Sequence, residues 1–158
     1  MINLRFWMAA AALATVSAPA AAENVRPQDP GSLVRALQAN GYAATLKTDN
    51  IGDPLIESSV AGSAFEIFFY NCKDHKECAT IQFHSAYRMK EPVSLERLNE
   101  WNMKSRFGNA YRRADGGIVL EMDVDLDDGG VAPLLFIDNL EFWETILPGF
   151  EKHIGYRS

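Results

Sequence analysis

The sequence holds few of the residues that usually carry chemistry. There are two cysteines and three histidines in 158 residues. Two cysteines cannot make a four-thiolate metal site, and His75, His84 and His153 form no metal-spaced set. There is no Gly-x-Ser-x-Gly and no phosphate-cradling glycine loop, so the common hydrolase and nucleotide-binding signatures are missing. Basic residues are in deficit, 15 against 21 acidic, for a net charge of −6. That argues against nonspecific binding to nucleic acid or anionic membranes. Beyond the first two dozen residues no hydrophobic run is long enough to span a bilayer.

What is present begins with an export-like leader, residues 1–22. Arg5 gives a basic start, Phe6 to Val16 an apolar stretch, and Ala20-Ala21-Ala22 a small-residue cleavage site before Glu23. Cleavage after Ala20 and retention as a membrane anchor are the alternatives. The short apolar core, ending in Ala and Pro, favours cleavage near Ala22-Glu23 and a periplasmic or secreted chain. Losing Arg5 takes the net charge to −7. Residues 23–158 then form one domain, long enough and apolar enough for a real core.

Residues 64–84 organise that domain. Two runs rich in aromatic and β-branched residues flank Lys73 to Glu77 and predict a hairpin. Setting Cys72 opposite Cys78 pairs Tyr70 with Thr80, Phe69 with Ile81, Phe68 with Gln82, Ile67 with Phe83 and Glu66 with His84. Alternation then puts Phe65, Ile67, Phe69, Ala79, Ile81 and Phe83 on a core face. Glu66, Phe68, Tyr70, Cys72, Cys78, Thr80, Gln82 and His84 fall on a mixed face. The cysteines are a disulfide or two buried thiols; an oxidising compartment favours the disulfide.

Asp29-Pro30-Gly31-Ser32 opens a short helix with Leu33, Val34 and Leu37 as its stripe, and Gly41 ends it. Strands follow at Ala43 to Thr48 and Leu55 to Val60. A second helix after Pro92 takes Ser94 as N-cap, Val93 and Leu98 as a staple, and Leu95, Leu98 and Trp101 as an apolar side. A second hairpin spans Asn109 to Leu126 around Asp115-Gly116. A two-residue turn there sets Tyr111 against Leu120 and Arg113 against Ile118. The last helix starts at Pro133, with Leu135, Asn139, Phe142 and Ile146 beside Phe136, Leu140, Trp143 and Leu147 in a wide buried face. Pro148-Gly149 should break or kink it. The order α-β-β-β-β-α-β-β-α indicates an α+β fold, three helices packed on an antiparallel sheet.

Gly41-Tyr42, Gly52-Asp53-Pro54, Phe69-Tyr70-Asn71-Cys72 with Cys78, Ile81-Gln82-Phe83, Trp101-Asn102, Arg106-Phe107-Gly108, Glu121-Met122-Asp123 and Gly129-Gly130 occur in this order. The chain resembles exported members of the YbjN family from about Ser32 to Ile154. The resemblance implies a fold like that of type III secretion chaperones and a role in bacterial sensory-transduction regulation. It implies no catalytic residues.

Two groups of candidate site residues remain. The acidic run Glu121 to Asp128 invites a calcium loop through Asp123, Asp125 and Asp127. The required glycine is Asp128 and the closing glutamate is Leu134, so a strand with one wet face explains the run better. A hydrolase using paired carboxylates there is the alternative function, though nothing in the sequence separates their pKa values. Trp101, Asn102, Arg106 and Phe107 form a polar-aromatic group in which Asn102 bonds backbone or ligand and Arg106 reaches Asp125. Phe68 and Tyr70 become an exposed aromatic patch if no helix covers them. The reading that results is a non-catalytic interaction domain without a cofactor, chaperone-like or adaptor-like, binding a protein segment or a second copy of itself.

Overall fold

A computed structural model describes residues 23–156. The leader, and with it the expected cleavage, lies outside the described residues. The elements are α1 (Pro30–Ala39), β1 (Ala44–Thr48), β2 (Pro54–Val60), β3 (Ser63–Tyr70), β4 (Thr80–Tyr87), α2 (Leu95–Lys104), β5 (Asn109–Arg112), β6 (Ile118–Asp125) and α3 (Pro133–Ile154). The strands form one sheet in the order β1-β2-β3-β4-β6-β5. Every neighbouring pair is antiparallel. This is the α+β architecture expected.

The central hairpin has the expected register, from Glu66 opposite His84 to Tyr70 opposite Thr80. Its core face supplies Phe65, Ile67, Phe69, Ile81 and Phe83, all buried. All three helices add to the same cluster: Leu33 and Leu37 from α1, Leu98 and Trp101 from α2, Phe136, Leu140, Trp143 and Leu147 from α3. At its centre the Trp143 ring lies 6.0 Å from Phe65 and 5.8 Å from Phe83. The helices thus cover one face of the sheet.

The Cys72 and Cys78 sulfurs lie 2.11 Å apart, as in a disulfide, with Cα atoms 3.8 Å apart. Strict alternation stops at Thr80, so Cys78 does not sit on the mixed face; it is fully buried in the core cluster. Inside the loop Asp74, His75 and Glu77 take left-handed backbone angles that only a constrained turn maintains. His75 Nδ1 reaches Asp53 Oδ1 at 2.8 Å and ties the loop to the β1–β2 turn. A crosslink over so short a loop stabilises by about 2 kcal/mol in the chain-entropy account. Reduction should therefore lower the urea midpoint modestly without unfolding the chain. Intact mass after alkylation should rise by two adducts only when reductant is added; two adducts without reductant would disprove the bond.

Four local expectations are corrected. The second hairpin pairs Tyr111 with Val119 and Arg112 with Ile118, one residue away from the two-residue register. Gly116 N–H bonds the Arg113 carbonyl, Arg113 N–H bonds the Gly117 carbonyl, and Gly116 has φ +84°. That is a three-residue turn, a type I turn followed by a left-handed glycine. Leu95 is not part of the α2 apolar side; it is 52% exposed. On α3, Leu135 and Phe142 are also exposed, so the buried face is narrower than expected, centred on Phe136, Leu140, Trp143 and Leu147 and continued by Phe150 and Ile154. Pro148 lies within one continuous helix. It forfeits a single backbone hydrogen bond, and burial of Phe150 and Ile154 beyond it holds the last turns in place.

Candidate functional site

Among the described residues no helix lies on the opposite face of the sheet. Its side chains follow from the register. Phe68 lies across from Gln82, and Gln82 from Asp123. Glu57 lies across from Glu66, Glu66 from His84, and His84 from Glu121. Tyr70 is level with Thr80 and Asp125. On the edge strand Tyr111 sits opposite Val119. Phe68, Tyr70, Gln82, His84, Tyr111, Arg113, Glu121 and Asp123 enclose a shallow groove of about 560 Å³, with Glu57 and Glu66 on the same face beside it. Phe68 and Tyr70 form one wall, Tyr111 and Arg113 the other, and Gln82, His84, Glu121 and Asp123 line the floor. Tyr70 is 43% exposed and Tyr111 41%.

The floor is ordered by hydrogen bonds. Tyr70 O–H donates to Gln82 Oε1 at 3.2 Å, and Gln82 Nε2 donates to Asp123 Oδ1 at 2.9 Å. The Phe68 ring stands edge-on to the His84 imidazole, centroids 5.1 Å apart. His84 Nδ1 is buried and has no hydrogen-bond partner among the described residues; Glu66 Oε2 is 3.6 Å away. Desolvation, then the charge of Arg113, pushes the His84 pKa down, so the ring stays neutral near pH 7.

Carboxylates gather on this face, and burial is the first cause of their shifts. Desolvation and then Glu57 raise the Glu66 pKa. Desolvation raises Glu121, partly opposed by a hydrogen bond from Tyr111 and reinforced by Asp123. Tyr70 is raised by desolvation and then by Glu121, Asp123 and Asp49. Glu57 is engaged by Lys47 at 2.6 Å. Among the described residues, no Lys or Arg pairs with Glu66, Glu121, Asp123 or Asp125.

The sequence candidates divide between the two sides of the molecule. Phe68, Tyr70, Asp123 and Asp125 are on the open face. Asp127 has left the strand for the following loop, where its N–H bonds Asp125 Oδ1. Among the described residues no three His, Cys, Asp or Glu converge as metal ligands. Trp101 is buried, its ring 5.1 Å from Phe150. Asn102 bonds backbone on both sides: its Nδ2 donates to the Ala110 carbonyl at 2.9 Å, and its Oδ1 accepts from Ala110 N–H at 2.8 Å. Arg106 does not pair with Asp125. It lies past the end of α2, its guanidinium 5.2 Å from the Phe107 ring. Phe107 in turn stacks on Phe142 at 4.2 Å, on the helical side.

A family model described as "Putative bacterial sensory transduction regulator" matches residues 29–155. The chain belongs to the YbjN family. No curated protein and no solved structure matches it. Within this YbjN domain the open sheet face is where exposed aromatic and charged groups converge, and sequence reasoning named only part of it. The central hairpin register already puts Glu66 and His84 on the face of Phe68 and Tyr70, and the β4–β6 pairing, which the sequence does not show, brings Glu121 beside them. Tyr111 could not be added, because its place depended on the turn that the sequence reading set one residue off.

Proposed function

We propose that this YbjN domain is an exported, non-catalytic adaptor or chaperone-like regulator that binds a protein segment through its open sheet face. One observation carries the reading: Phe68, Tyr70 and Tyr111 wall a polar groove that the domain's own helices leave uncovered. Monomers bury most large aromatic groups, and exposed Phe and Tyr are enriched at protein-binding surfaces. The family description supports a regulatory role in general terms. Export rests on the leader's pattern of charge, apolar stretch and small residues.

The test is crosslinking in the native envelope with identification of captured proteins. Replacing Phe68 and Tyr70 together by serine should abolish capture. The melting temperature should shift by only a few degrees, because neither side chain belongs to the buried core. Undiminished capture by a folded double variant would exclude this face.

A further inference from the structure

We propose that the segment bound by the open face is extended and basic, with Lys or Arg at alternate positions, and that it lies along β6. This rests on the open-face reading and names the partner's chemistry. The argument is one of spacing and charge. β6 presents Glu121, Asp123 and Asp125 on the open face at every second residue. Alternate residues of a strand are about 6.8 Å apart. An extended peptide has the same repeat, so its alternate side chains meet three successive carboxylates. The walls, on β3 and β5, stand three strand spacings apart, about 14 Å. That width admits one extended chain between aromatic rings that can also receive cationic side chains.

The domain tolerates a charge arrangement that its own fold does not reward. Glu57 and Glu66 are directly opposed like charges, of which Lys47 compensates only Glu57, and such pairs destabilise a sheet. Glu66, Glu121, Asp123 and Asp125 have no Lys or Arg partner among the described residues. Among the described residues Arg113 is the one cation lining the groove. It stands at the rim near Asp115, Nε to Oδ1 3.9 Å, and would repel a basic partner.

The probe is a fluorescent peptide of alternating Lys and Thr, compared with Glu-Thr and Ser-Thr peptides of equal length. Anisotropy is measured against the purified protein at several salt concentrations. The Lys peptide should bind best and weaken as salt rises. Glu121→Gln with Asp123→Asn should weaken it by about tenfold or more, the order expected for two lost charge contacts. The same pair should leave the melting temperature unchanged or higher, because it relieves repulsion. Arg113→Ser should tighten binding. Neutralising Glu100 and Glu141, exposed on α2 and α3, removes equal charge elsewhere and should change nothing.

No binding of the Lys peptide, or equal loss from the Glu100 and Glu141 control, overturns the proposal. Equal binding of the Ser-Thr peptide, abolished by the Phe68 and Tyr70 double variant, overturns the basic chemistry and retains the face. If the Lys peptide binds the Phe68 and Tyr70 variant as well as the unaltered protein, the face itself is wrong.

Discussion

Trp143→Ala should cost about 3–5 kcal/mol, the largest effect of any single substitution considered for this chain. The indole is fully buried between Phe65 and Phe83, the aromatic centre of the hairpin, and joins α3 to the sheet. Truncation removes the ring's transfer free energy and leaves a cavity whose walls come from two rigid layers that cannot collapse inward together. Domains of this size are stable by about 5–15 kcal/mol in total, so a sizeable unfolded fraction is expected at 37 °C if stability is near the lower figure. Urea denaturation followed by far-UV circular dichroism measures it without relying on the lost fluorophore. Trp143→Phe is the control. It keeps an aromatic ring and deletes the indole N–H, which is buried with no hydrogen-bond partner among the described residues. It should lose far less than the alanine variant. An alanine variant within about 1 kcal/mol of the parent would mean that α3 is not anchored through this residue.

The same aromatic centre explains why so much of the fold was legible. Phe65, Ile67 and Phe69 alternate with polar residues, and a one-residue slip would turn them all to solvent. The cysteine pair reinforced that register. Where the local signal admitted two solutions, the sequence reading chose wrongly. Asp115-Gly116 suits a two-residue turn, but Gly117 behind it lets the glycine at 116 close a three-residue one. The choice between them is made by which β5 residues meet the core: Ala110 is buried against Leu120, while Arg112 reaches out to the Val93 carbonyl. The over-wide face of α3 has a related cause. Apolar residues at 135, 142 and 146 fit the helical period as well as those at 136, 140, 143 and 147. Only the tertiary arrangement shows that Leu135 and Phe142 turn to solvent, where Phe142 meets Phe107 beyond the end of α2, while Ile146 packs at the edge of the core. The open-face groove was half legible, since one wall and the Gln82 and His84 part of the floor lie on the central hairpin, whose register could be read, while Glu121 and Asp123 reach the floor through the β4–β6 pairing. The other wall could not be placed from local pattern.

Asn102→Ala should cost about 2–4 kcal/mol, although it removes only a small side chain from the surface of α2. The residue finishes the sheet. β5 is an edge strand, and at Ala110 the backbone groups that face away from β6 are met by the Asn102 amide, one donor to the carbonyl and one acceptor for the N–H. Ala110 is only 5% exposed, so alanine at 102 would leave both groups nearly dry and unpaired, at about 1–3 kcal/mol each. Asn102→Asp should be nearly as damaging, because the carboxylate keeps the acceptor but sets negative charge against the Ala110 carbonyl oxygen. Hydrogen exchange separates this role from a general loss of stability. The Ala110 amide should lose protection in the alanine variant under conditions where Phe83 and Ile81, on the central strand, remain protected. Unmasking the edge also exposes a template for pairing with another chain, so light scattering should rise with concentration in the variant and not in the parent. Retained protection at Ala110 would show that something other than Asn102 satisfies the edge. This residue then marks the limit of the sequence resemblance as a guide to function: the Trp101-Asn102 pair is held by packing and edge protection, one residue in the core and its neighbour on the last strand.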